Sequence, residues 1–146
     1  MDVADSATEE KKEASMTEVT LDFAISSVNH IAFIVSDVGN SAYFYSDVLG
    51  LQQVKRPNFD RHGAWFTGGN LEIHLILGNP CAPDASVKGS EANVTCFKVA
   101  DFNATKDKLA AIDSEHGIHL EFEEGEEDSV AYVRDPDGYV FKIGEL

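Results

Sequence analysis

The chain has 146 residues, 43% of them apolar and 10% aromatic, which is enough for one domain with a sizeable core and argues against wholesale disorder. Its formal charge of −15, from 11 basic and 26 acidic residues, excludes the basic footprint that nucleic acid or an anionic membrane surface would need. No apolar run reaches membrane-spanning length, and the two cysteines, Cys81 and Cys96, read as reduced thiols rather than a disulfide.

Residues 1–26 are read as an acidic flexible tail. They end in a possible short arm at Leu21-Asp22-Phe23-Ala24-Ile25 that docks on the body. The N-terminus carries neither a basic n-region with an apolar h-region nor an Arg-rich transit segment. The expectation is a cytoplasmic or organelle-stromal protein, not a secreted one.

The folded unit, 27–146, begins with an apolar, β-branched strand at 28–36. Ser36 or Asp37 caps a helix whose apolar face is Val38, Ala42, Tyr45 and Leu49, and Gly50 closes it. Strands follow at 51–56, 63–67 and 71–77, the last two joined by a Gly68-Gly69-Asn70 turn. Arg61-His62 stands in the preceding loop as a candidate lid. After a Gly/Pro/Ser-containing linker at 78–92 the pattern repeats. It gives a strand at 93–99 and an Asp101-capped helix with Phe102, Thr105, Leu109 and Ile112 on one face. Gly117 ends that helix, and strands follow at 118–122, 129–134 and 139–144. Asn29, Phe33, Val35 and Asp37 recur as Asn93, Phe97, Val99 and Asp101, an offset of 64 (29 to 93). The acidic run from Glu121 to Asp128 lacks the ligand spacing of a Ca2+ loop and reads as a solvated hairpin tip.

The fold class expected is α+β: two tandem βαβββ modules, 28–77 and 92–144, forming a curved, mostly antiparallel sheet with an open trough. Strand alternation assigns the helix side to Ile31, Phe33, Val35, Leu71, Ile73, Leu75, Thr95, Phe97, Val99, Tyr139, Phe141 and Ile143. The trough side then receives His30, Ala32, Ile34, Glu72, His74, Ile76, Val94, Cys96, Lys98, Val140, Lys142 and Gly144. His30 and His74 meet at equivalent register on the first and last strands of module one, the arrangement in which two imidazoles converge on a divalent ion. Trp65 is read as core or subunit contact, and His116 and His119 as helix-end surface residues.

Several segments together resemble the vicinal oxygen chelate superfamily of glyoxalase I, fosfomycin-resistance proteins and extradiol dioxygenases. They are Val28-Asn29-His30-Ile31-Ala32-Phe33, Phe44-Tyr45-Ser46-Asp47-Val48-Leu49-Gly50-Leu51, Lys55-Arg56-Pro57, Gly63-Ala64-Trp65, Ile73-His74-Leu75 and Asp135-Pro136-Asp137-Gly138-Tyr139. The resemblance covers 28–144 and is nearest to plant-type glyoxalase-I-like proteins. It implies metal-facing residues at His30, His74, Val94 and Lys142. Valine cannot ligate, and a lysine ammonium has no lone pair and repels a dication. The position of Lys142 is one where the resemblance implies a glutamate that serves as ligand and proton-shuttling base.

The leading reading is therefore a glyoxalase-like protein with a degraded metal quartet. It binds a small, anionic molecule in the trough through His30, His74 and Lys142, with Lys55 and Arg56 at the mouth. Standard glyoxalase I activity is not expected. One alternative is a divalent-metal lyase or isomerase of the lactoylglutathione lyase type, or a dioxygenase. It would use His30, His74 and Glu72, with Zn, Ni, Fe or Mn as cofactor and Glu72 as the candidate catalytic group. The other alternative is a structural subunit of a larger assembly. Glu72 is expected to pair with Lys142 across the trough, and the exposed sheet edges favour a homodimer.

Overall fold

The computed structural model describes residues 22–56, 63–122 and 129–146. Residues 1–21, with most of the expected tail and Leu21 of the expected arm, residues 57–62, with the lid candidates Arg61 and His62, and residues 123–128 of the expected hairpin tip lie outside the described residues. Module one comprises β1 (Ile31–Val35), α1 (Val38–Tyr43), β2 (Gln52–Val54), β3 (Gly63–Gly68) and β4 (Leu71–Leu77). Module two comprises β5 (Val94–Lys98), α2 (Phe102–His116), β6 (Glu121–Phe122), β7 (Val130–Arg134) and β8 (Val140–Gly144). Each module makes one open, four-stranded mixed sheet, ordered β1-β4-β3-β2 and β5-β8-β7-β6. The α+β plan of two βαβββ modules thus holds. The first and last strands of each module pair in parallel, Ile31 with Ile73 and Thr95 with Phe141, and the other pairings are antiparallel. A parallel pair needs a long crossover, which the helix and the intervening strands supply.

The two helices start alike. Asp37 accepts from the Asn40 N–H at 3.0 Å and Asp101 from the Ala104 N–H at 3.1 Å. They end differently. α2 stops at Gly117, whose φ of 66° admits a left-handed cap, with its N–H on the Asp113 carbonyl at 2.9 Å. α1 does not run on as a regular helix to Leu49. It widens into a π turn at Phe44–Val48, with Leu49 N–H reaching back to the Phe44 carbonyl at 3.0 Å. The Ser46 hydroxyl bonds the Ala42 carbonyl at 2.9 Å within this turn. The widening brings consecutive residues Phe44 and Tyr45 both into the core.

The helix-side faces of both sheets share one core. Val35, Ile73, Leu75, Phe141 and Ile143 are buried there, with Ile31, Phe33, Leu71, Phe97, Val99 and Tyr139 packed against them. The expected alternation is observed at these positions. Phe141 of module two meets Phe33 and Tyr45 of module one at 5.7 Å, ring centroid to ring centroid.

The Asp-Pro-Asp-Gly turn fastens the modules together. The Tyr45 hydroxyl donates to Asp135 Oδ2 at 2.8 Å, and Ser36 donates to Asp137 from its hydroxyl at 2.6 Å and its N–H at 3.1 Å. Tyr139 reaches the Ile34 carbonyl at 2.8 Å. Asp135 is buried; desolvation raises its pKa, against the opposing effect of its hydrogen bonds. Burial, and then the neighbouring Asp135 charge, push the Tyr45 hydroxyl far above the usual tyrosine range.

The arm does not dock as expected. Residues 24–30 form no strand, and Phe23, Ile25 and Val28 are 68%, 81% and 71% exposed. The linker does pack. Arg134, itself buried, donates to the Asp84 carbonyl at 3.3 Å and to the Val87 carbonyl. Gly89 lies so close to the Tyr132 ring that a Cβ there would come within 2.5 Å of it. The outer face of module two is therefore roofed. This is why every residue of β7 is buried, on both faces of its strand.

Candidate functional site

The outer face of sheet one presents three stacked rings from three adjacent strands or their leads. His74 of β4 stands directly opposite Trp65 of β3 in the antiparallel register, and the two rings lie 3.8 Å apart and 3° from parallel. His30, just before β1, covers the other face of the His74 ring at 3.8 Å and 14°. The sandwich leaves His74 only 9% exposed, while His30 is exposed. Trp65 thus belongs to this site rather than to the core. The signal was available, because pairing Gly68 with Leu71 across the Gly68-Gly69-Asn70 turn and counting outward places Trp65 opposite His74.

Glu72 does not need Lys142 as its partner. It shares a hydrogen bond of 2.5 Å with His74 Nε2, the imidazole N–H donating to the carboxylate. The strand rise separates an i, i+2 pair by about 6–7 Å at the backbone, but the long Glu side chain leans along the strand and closes that gap. β4 and β8 both lie inside their own sheets, so neither offers a free edge to the other module. His30 Nδ1 is held at 2.8 Å by Asn29 Oδ1. Lys142 lies with its ammonium 6.0 Å from the centre of the Tyr132 ring.

These positions bear on metal binding. An imidazole lone pair lies in the ring plane. Two nearly parallel rings face to face direct their lone pairs side by side, not toward one ion about 2.0–2.1 Å from each. His74 Nε2 is already engaged with Glu72. Among the described residues, no group of three or more His, Cys, Asp or Glu is placed to hold a metal ion. In this geometry the donor set does not fit the implied metal.

A cleft of about 630 Å3 opens between β1 and β5. Ala32, Val94 and Val140 line it from the trough side, and Cys81, Ala82, Pro83, Val87 and Glu91 close it from the linker. His30, His74, Lys142, Lys55 and Arg56 are not among its lining residues. Lys55 and Arg56 follow β2, at the far edge of sheet one. Cys96 and Lys98, assigned to the trough, border a different groove, on the side of β5 toward α2. Sequence reading did not single out Tyr132, Arg134 or Glu91, whose roles depend on the roof.

Comparisons with known proteins agree with this architecture. The chain is 28% identical over 128 residues to "Glyoxylase I 4" of Arabidopsis thaliana, spanning 82% of this chain and 70% of that protein. In structure it is similar to the fosfomycin resistance protein FosX of Mesorhizobium loti, with a TM-score of 0.65 at 19% identity over 84% of this chain and 94% of that one. It is also similar to lactoylglutathione lyase of Agrobacterium tumefaciens, with a TM-score of 0.56 at 20% identity over 84% and 95% of the two chains. At such identities the structural likenesses establish the fold and not the reaction. The model of the Glyoxalase/Bleomycin resistance protein/Dioxygenase superfamily matches residues 27–143, and with the paired βαβββ modules described above this places the chain in that superfamily.

Proposed function

We propose that the chain is a glyoxalase-like binding protein that takes a small molecule into the trough between its modules without the standard metal quartet. The observation that carries this reading is the stack. His74 is clamped between His30 and Trp65 and bonded to Glu72, so the imidazoles serve as fixed polar and π surfaces rather than as ligands. Val94 and Lys142, at the other two positions where the resemblance implies donors, supply none. The cleft is of small-molecule size, and Ala32, Val94 and Val140 are among the apolar side chains that line it. An anionic group on the ligand would have to extend beyond the cleft lining to reach Lys142, His30 or His74, with Lys55 and Arg56 farther out still. Glu91 in the lining selects against a ligand with negative charge at its buried end.

The alternative, a metal-dependent lyase or dioxygenase, draws support from the Glu72–His74 contact, which gathers His30, His74 and Glu72 on one patch. It requires the two imidazoles to unstack. Metal analysis of the full chain, purified without chelator, separates the readings. The expected result is Zn, Ni, Fe and Mn well below one per chain, unchanged by His74→Ala, with metal gained on Val94→His plus Lys142→Glu. Stoichiometric metal that is lost in His74→Ala would overturn the proposal.

A further inference from the structure

We infer that a second site, independent of the trough, lies in the groove between module one and the α2 side of β5. It binds an amphiphilic anion, a carboxylate or sulfonate on a short hydrocarbon or aryl tail. The groove encloses about 660 Å3, within the roughly 300–1,000 Å3 of small-molecule sites. Its floor is core that does not close. Val48, Leu49, Leu51, Leu71, Phe97 and Val99 pack on the buried core, yet each remains only partly buried and all six line the groove. An apolar tail laid there would remove that surface from water.

The charge of the wall selects the head group. Lys98 is the only Lys or Arg in the lining, and no Asp or Glu lines the groove among the described residues. In a chain of net charge −15 such a wall is unusual, and the trough cleft, by contrast, contains Glu91. A cationic ligand finds no carboxylate in that lining, whose uncharged polar side chains are Asn70, Thr95 and Thr105. A carboxylate near Lys98 gains a charge-assisted hydrogen bond while its tail covers the leucines. Thr105, partly buried on α2, stands at the wall where a larger side chain would fill the space.

Calorimetric titration of the full chain with sodium decanoate, decanol and decyltrimethylammonium tests this. Decanoate is expected to bind once per chain and decyltrimethylammonium not to bind. Lys98→Met should weaken decanoate about tenfold while leaving decanol unchanged, and Lys98→Arg should restore it. Thr105→Trp should abolish both ligands, and Ala82→Trp, which fills the trough cleft from the linker side, should affect neither. The two exposed cysteines report location, because Cys96 borders the groove and Cys81 the trough. Decanoate should protect Cys96 and not Cys81 from alkylation. Absence of decanoate binding, equal binding of the cation, indifference to Lys98→Met, or protection of Cys81 instead would each overturn the inference. Faster Cys96 alkylation in Phe23→Ala plus Ile25→Ala, without ligand, would mean that the arm occupies the groove, and would overturn it too.

Discussion

Removing one hydroxyl, by Tyr45→Phe, tests the joint between the modules. Tyr45 is 0% and Asp135 2% exposed, so no water can replace the lost donor. Asp135 Oδ1 keeps the N–H groups of Asp137 at 3.0 Å and Tyr139 at 2.9 Å, whereas Oδ2 loses the Tyr45 hydroxyl. A hydrogen bond to a buried charged group contributes about 1.5–3 kcal/mol. A loss of about 2 kcal/mol lowers Tm by roughly 4–8 °C in a chain of this size. The pH dependence has a definite sign. Burial holds the Asp135 pKa above the usual 3.8, so its contribution to stability is full below that value and is lost as pH rises through the folded-state pKa. The substitution deletes a donor that favours the carboxylate and so raises the folded-state pKa further. The difference between parent and variant is therefore largest at pH 7.5 and shrinks on acidification through the window above 3.8. Urea unfolding followed by circular dichroism at pH 7.5 and pH 5 measures both. A loss under about 0.5 kcal/mol at pH 7.5, or one that grows as pH falls, would refute the reasoning.

Two further substitutions test the roof and the sheet. Arg134→Met leaves the Asp84 and Val87 carbonyls without their guanidinium donors and is expected to cost about 2–3 kcal/mol. Limited trypsinolysis should then cut after Lys88 much faster, and an unchanged rate there would show that the linker is held by other contacts. Gly63→Ala places a Cβ 1.9 Å from the Leu75 carbonyl oxygen, a backbone atom of the paired strand that cannot turn aside. It should lower stability by about 3 kcal/mol or more, and a denaturation midpoint equal to the parent's would contradict the β3–β4 register.

Much of this fold is visible in the chain because its determinants are local. The alternation in β1, β4, β5 and β8, and the capping aspartates Asp37 and Asp101, act over a few residues and appear twice. The stack was equally legible, since a short turn fixes which residues face each other. Other features rest on contacts far apart in sequence. Arg134 meets the linker some 50 residues earlier, and nothing in Val130–Arg134 distinguishes a strand covered on one face from one covered on both. The linker composition announces a loop and not the surface on which it lies. The Glu72–His74 bond was missed for another reason: a flexible acid has several partners within reach, and the choice depends on which of them is fixed. His74, clamped between two rings, is fixed.

The duplicated scaffold serves two ends. On module one the outer face keeps an imidazole pair, stiffened by Trp65. On module two the equivalent face packs against the roof through Val130, Tyr132 and Val140, with Val94 and Ala92 at the margin of that small core. Val94 contributes apolar contact there, where an imidazole would bring a polar ring. Lys142, over the Tyr132 ring, places its charge against an aromatic of the same small core, where a carboxylate would be repelled by the ring's negative face. It follows that the variant Val94→His plus Lys142→Glu cannot be neutral for folding. The double variant should gain metal affinity and, with chelator present, unfold more easily than the parent. If it gained metal at no cost in stability, these two positions would have no part in holding the roof.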